Sequence, residues 1–219
     1  MAGVAQAVLP IVGAIAREDG DAAAKEAVGE ATDASTAVIH LHAANAHFNQ
    51  AAQVVRDGAS PLAPTPNLKG VGRVAGVLEV ARGVMVAPEL AMQIKTVAEY
   101  PDILSNGKFS CDIAGNFLAV ANGFLMGANF VKRTGFAARL SPWVGSAADV
   151  TLISAGIAEM KAKGASAPGI LEVAAYATDL AGNGLLITGA AAATGLALKG
   201  ASLAMQATAI GLRLGFRKT

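Results

Sequence analysis

The sequence predicts an all-α fold, an Ala/Gly-rich helical bundle with two marginally hydrophobic helices able to enter a membrane. Three observations carry that prediction. Of 219 residues, 53% are hydrophobic but only 5% aromatic and 15% charged, against roughly 25% charged in an average globular chain. Ala and Gly fill roughly a third of the positions, so the apolar content lies in small side chains that suit close-packed helices. Sustained period-two alternation is absent, and the Asn106-Gly107 pair is not set between alternating apolar runs, so strand signals are missing. Mean hydropathy of +0.48 leaves a poorly solvated chain and excludes intrinsic disorder.

Residues 1–57 form an N-terminal helical region. Its first part, residues 2–16, is uncharged and ends in Ala14-Ile15-Ala16, which imitates a signal-peptide cleavage site. No Lys or Arg precedes that stretch, Pro10 interrupts it, and it is shorter than the roughly 20 residues a bilayer needs, so a packed or interfacial helix is expected. Asp21 is a suitable N-cap for Ala-rich residues 21–57, which read as one long helix or two. Residues 58–69 hold three prolines within six positions and form a stiff linker.

Residues 70–219 form the apolar helical region. A helix from Gly70 to about Ala98 should be kinked or split by Pro88 and ended by Tyr100-Pro101. A loop is expected over 102–110. Residues 113–131 then run without a charge and close on Lys132-Arg133. A turn at Ser141-Pro142 should lead into a helix from Trp143 to Lys163, with a break over 164–169. The last segment, 170–217, contains a second charge-free stretch at 180–198. Nineteen residues at about 1.5 Å each reach about 28 Å, close to the roughly 30 Å hydrocarbon thickness, which makes 113–131 and 180–198 the candidate membrane helices.

The spacing of small residues inside these stretches is the main motif. Gly115, Ala119, Gly123 and Gly127 stand four apart, as do Gly189, Ala193, Ala197 and Ala201. Four-residue spacing keeps a helix face together, and bare backbone on that face lets a second helix approach, the packing that drives association in lipid. Replacing Gly123 or Gly127 by Leu is expected to block that approach and abolish membrane leakage while leaving a soluble form folded. Asn116, Asn122 and Asn129 fall on or beside the same arc and are the candidate pore-facing residues, opposite Phe117, Val120, Phe124 and Val131. Three amides in one stretch, and Asn183, Thr188 and Thr194 in the other, make insertion marginal. A chain soluble first and inserted later fits that balance.

Enzyme readings find little purchase. His40, His42 and His47 cluster, but no carboxylate or Cys completes a metal set, and HExxH is absent. The single Cys111 has no disulfide or redox partner within the chain. Gly70-Val-Gly-Arg-Val-Ala-Gly76 follows the Pro-rich linker rather than a strand, and Lys199 lacks the glycine spacing of a phosphate loop. Asp149, Glu159 and Glu172 read as solvated helix positions. Scattered Lys and Arg at net charge +1 give no nucleic-acid stripe. Neither a cofactor nor a metal is expected.

An Ala/Gly-rich, charge-poor helical chain with glycine zippers over 113–131 and 180–215 resembles the small pore-forming antibacterial effectors of bacterial type VI secretion, and more distantly the hydrophobic hairpin of colicin pore domains. That resemblance implies carriage in the secretion tube, release from the producing cell, and insertion into a target cell's inner membrane as a homo-oligomer. It also implies loss of ion gradients there and a cognate immunity protein. The alternative is a soluble helical structural or binding module that oligomerises through Ala/Gly-rich faces. Lys132, Arg133, Arg213, Arg217 and Lys218 would hold span ends in the headgroup layer.

Overall fold

Helix formers dominate every segment between the Gly and Pro breaks, and the computed structural model is all-helical. It describes residues 22–58, 71–132 and 135–216. Six α-helices follow in order: α1 Ala22–Asp57, α2 Val71–Glu99, α3 Gly107–Lys132, α4 Gly135–Lys163, α5 Ala167–Thr188 and α6 Ala192–Phe216. A short 3₁₀ turn, Pro101–Ser105, joins α2 to α3. The N-terminal stretch 2–16, Asp21 and nearly all of the 58–69 linker lie outside the described residues.

Local chemistry sets the boundaries. Gly58 stops α1 in the left-handed region at φ 60°, where the absence of Cβ removes the steric cost. The Asn106 side chain accepts from the Phe109 amide to open α3, and Ser166 accepts from the Gly169 amide to open α5 with proline in its first turn. The expected loop at 102–110 is instead the 3₁₀ turn followed by the first turn of α3.

Three further expectations are corrected. Ser141-Pro142 does not form a turn: α4 runs through it unbroken from Gly135 to Lys163. The Pro142 carbonyl is covered by the Ser146 hydroxyl, which donates to it at 2.8 Å, while Ser141 is buried against α3. Likewise α2 is not split at Pro88. The charge-free stretch 180–198 is not one helix. Gly189 takes φ 67° and ends α5, and α6 starts at Ala192. Glycine stops helices in this geometry regardless of flanking hydropathy.

Among the described residues the helices contact one another in a closed cycle, α1–α2–α3–α4–α5–α6–α1, and no helix lies across the middle. Neighbours run antiparallel. Asn116 meets Gln93 while Gly123 meets Gly83; Asn122 meets Ser141 while Gly115 meets Leu152. Closure comes from α1 lying on α6: Ala43 and Ala44 pack on Leu203, and Ala51 packs near Leu196. The N-terminal helix is thus a member of the ring.

Side chains are distributed in an unusual sense. Exposed apolar residues recur at seven-residue intervals, as Leu41, Phe48 and Val55 on α1, Phe117 and Phe124 on α3, and Phe136, Trp143, Val150 and Ile157 on α4. Phe136 is 72% exposed and Trp143 61%. Buried positions include His47, Asn116, Ser141, Asp149, Asn183, Lys199, Ser202 and Gln206 beside the expected Ala and Leu. Soluble cores rarely bury such residues unless they are paired.

Candidate functional site: a buried polar network inside the ring

Helix α5 shows the arrangement most clearly. Glu172, Tyr176, Asp179 and Asn183 are spaced four, three and four apart, so they share one face. The opposite side carries exposed Ile170, Ala177 and Ala181. Helix α6 repeats the pattern with Lys199, Ser202, Gln206 and Arg213.

These faces meet in one network. The Lys199 ammonium donates to both Asp179 carboxylate oxygens at 3.0 and 3.1 Å and to Asn183 Oδ1 at 2.9 Å. All three ammonium donors are therefore committed. The Asn183 amide donates to Asp149 Oδ2 of α4 at 3.0 Å and to Asp179 Oδ2 at 3.3 Å. Asn183 is 1% exposed, Asp149 4% and Lys199 7%. Asp179 bonds the ammonium directly, Asp149 is joined to it only through Asn183, and both polar atoms of the Asn183 side chain are used.

The network faces the ring's middle. Arg82 and Glu89 of α2 lie within electrostatic reach of Tyr176 on α5, and Arg82 also of Asp149 on α4, although α2 contacts neither α4 nor α5 through its backbone. Farther along, Arg213 pairs with Glu172, and Gln206 donates to the Ser202 hydroxyl.

Small residues make the approach possible. A Cβ placed on Gly145 would lie 2.9 Å from the Asn183 amide nitrogen and 3.3 Å from that of Asn122, so this glycine admits amides from α5 and α3 on its two sides. Cβ atoms on Gly182 and Gly195 would come within 2.8 and 2.9 Å of the other's carbonyl oxygen, which brings Lys199 down onto Asp179.

Hydroxyls elsewhere are satisfied within their own helices. Ser154, Thr178 and Thr208 each donate to the carbonyl four residues earlier at 2.8 Å, an arrangement that needs no water. One end of the ring, where α3 begins and α4 ends, holds solvent-facing ion pairs of Lys108 with Asp112 and Glu159, and of Lys163 with Glu159. The hydrogen bond from Lys163 holds the Glu159 carboxyl below its ordinary range, against a smaller opposing effect of burial and with Lys108 adding to the shift.

The small residues of the expected zipper in α3 serve different neighbours. A Cβ on Gly115 would meet Leu152 and Thr151 of α4, whereas Gly123 lies against Gly83 of α2, whose Cβ would be 3.3 Å from the Gly123 Cα. Ala119 lies between them, half-buried. Gly127 and Asn129 continue α3, and their surroundings fall outside the described side chains. In the C-terminal set, Gly189 is outside any helix, while Ala193, Ala197 and Ala201 lie on α6 and Ala197 packs beside Leu196 and Ala51. Within this ring the Gly123 backbone already lies beside Gly83 of α2, so a Leu there is expected to disturb the α2–α3 contact.

Of the asparagines, Asn116 donates to Gln93 of α2 at 3.1 Å and Asn122 accepts from Ser141 of α4 at 2.6 Å. Both sit between helices with partners. Asp149 is corrected: it is buried in the network rather than solvated, whereas Glu172 is partly exposed and paired with Arg213. Sequence reasoning passed over Asp149, Asp179, Asn183 and Lys199 as a group. The spacing of polar residues along α5 was the available signal.

Comparison of the chain with protein-family models, with curated proteins and with solved structures returns no match. Among the described residues no group of three or more His, Cys, Asp and Glu could hold a metal ion. One helix among them, α5, is long and apolar enough to cross a membrane.

Proposed function

We propose that this chain is a membrane-inserting pore former, whose ring presents its apolar stripes to lipid and encloses a polar path. The observation that supports this reading is the inversion of side chains: Phe117, Phe124, Phe136 and Trp143 stand exposed, while Asp149, Asn183 and Lys199 are buried. In water that distribution wastes apolar contact and costs desolvation. In lipid the same distribution is favourable, because ionisable groups there turn to the bundle interior, pair with one another and mark ion pathways.

The roles divide accordingly. Heptad-spaced residues of α1, α3 and α4 touch acyl chains. Gly83, Gly123, Gly182 and Gly195 bring neighbouring backbones together and Gly115 admits the Leu152 side chain, and these dispersion contacts replace a hydrophobic effect that lipid does not supply. The network of α4, α5 and α6 lines the path. The antibacterial part of the proposal rests on the resemblance to type VI secretion effectors: the target is a rival cell's inner membrane, the carrier is the secretion tube, and an immunity protein protects the producer.

Dye-loaded anionic liposomes test the proposal. Added purified chain releases dye at micromolar concentration or below; liposomes that stay intact at all tested lipid compositions sink the reading. A second reading, a module that self-associates through its helix faces, is favoured by the stripe Phe136, Trp143, Val150, Ile157, since seven-residue apolar spacing also makes a coiled-coil seam. Sedimentation of the lipid-free chain as a defined oligomer, with no dye release, selects it.

A further inference from the structure

Antiparallel order gives the ring two ends of different charge. One end gathers the last turns of α1, α3 and α5 and the first turns of α2, α4 and α6. Within two turns of that end the helices carry Arg56, Arg73, Lys132 and Arg139, and Asp57 is the only acid among the described residues there. At the opposite end Glu26, Glu99, Asp102, Asp112, Glu159 and Glu172 offset as many Lys and Arg. The basic end is also the aromatic one. Phe136, Arg139 and Trp143 stand at i, i+3 and i+7 of α4, all exposed and on one outward face. Val55 is exposed beside Arg56 on α1. The α5–α6 connection at this end lies within the uncharged run 180–198.

We propose that this basic, aromatic end of the ring is the surface that docks on an anionic phospholipid bilayer. This goes beyond the pore reading: it names the lipid and the end of the ring that meets it, and it stands or falls on binding alone. Charge complementarity decides the occupant. Lys and Arg near a membrane are drawn to anionic headgroups, while Trp sits at headgroup level with its ring in the apolar boundary. Arg139, one turn from both Phe136 and Trp143, can lay its stem along those rings and keep its guanidinium at the phosphates. Below them the same face of α4 continues with Val150 and Ile157, and its next exposed cation is Lys161 at the far end.

Co-sedimentation of the full chain with vesicles tests the surface, using phosphatidylcholine alone and phosphatidylcholine mixed with phosphatidylglycerol. At about 0.1 M salt the wild type is expected to prefer the mixed vesicles by on the order of a hundredfold, and to lose that preference at about 1 M, where screening shortens to about 3 Å. Arg139→Gln and Lys161→Gln make a matched pair, because both residues are exposed on α4 and both changes remove one positive charge. Arg139→Gln is expected to weaken binding to the mixed vesicles about fivefold, and Lys161→Gln to leave it unchanged. Equal binding to both vesicle types overturns the inference, and dye release in that case leaves the pore reading in place. Equal losses in the two variants trace binding to net charge and overturn the assignment to this end. Full displacement from the vesicles by polyphosphate at equal phosphate concentration assigns the end to soluble polyanions and overturns the membrane commitment. Anionic preference with the expected variant pattern but no dye release upholds the docking surface and overturns the pore reading.

Discussion

Gly182 of α5 and Gly195 of α6 each stand where the other's carbonyl oxygen leaves no room for a Cβ, at 2.8 and 2.9 Å. This mutual exclusion sets the closest part of the α5–α6 hairpin, and one turn away it places Lys199 on Asp179. Gly182→Leu or Gly195→Leu must therefore separate two backbones, with no flexible side chain to yield. Each variant is expected to lose several kcal/mol of stability, at the upper end of overpacking costs, seen as a melting temperature lowered by ten degrees or more in circular dichroism. Gly184→Ala, on the same helix with open space around it, is the control, expected to be neutral or stabilising by up to about 1 kcal/mol.

The ion pair of Lys199 and Asp179 lends itself to a double-mutant cycle. Lys199→Met leaves Asp179 without its direct cation and is expected to cost about 3–5 kcal/mol, as broken buried pairs do. Combining it with Asp179→Leu restores part of that loss, because neither charge then remains buried. Denaturant unfolding of the two single variants and the double variant measures the coupling; additive losses would show that the bond seen at 3.0 Å contributes nothing beyond its parts.

Trp143 is the only tryptophan of the chain and stands on the exposed stripe of α4. Its emission reports directly on what covers that stripe. Emission from the lipid-free chain is expected near that of water-exposed indole, moving to shorter wavelength on mixing with vesicles and being quenched by brominated acyl chains. An emission already blue-shifted without lipid would show a second protein surface on the stripe.

Gly189→Ala separates conformational strain from packing. With φ at 67° and no atom within 4 Å of an added Cβ, the only cost is the left-handed conformation, about 1–2 kcal/mol. Gly189→Asn is expected to cost less than Gly189→Ala, since asparagine visits that region more readily. Equal losses in both would place the cause in packing.

Gly123→Leu is expected to lower the melting temperature of the lipid-free chain, because Gly83 of α2 already lies against that backbone. A Gly123→Leu chain that melts like wild type would show that the α2–α3 contact is looser than described.

Much of the all-α architecture could be read from the distribution of Ala, Gly and charge. Pro142 misled because the packing that keeps α4 continuous through it, with the Ser141 hydroxyl bonded to Asn122 of α3, does not show in a pattern of breakers. Gly189 was placed in a zipper because spacing by four is blind to φ. The network stayed hidden for a related reason. Asp149 and Lys199 are fifty positions apart and meet only through Asn183, so neither looks unusual in its own stretch of sequence.

The cyclic order of helix contacts bears on how the chain folds. Five of the six pairings join chain neighbours, so each can form as a hairpin with modest loop-closure entropy, and such local contacts favour fast folding. Only the seam between α1 and α6, where Gly200 receives Ala44 and Phe48, requires distant parts of the chain to find each other. Ring closure therefore carries the largest loop-closure cost of the six pairings, and the seam between the first and last helices is where chain entropy opposes the fold most.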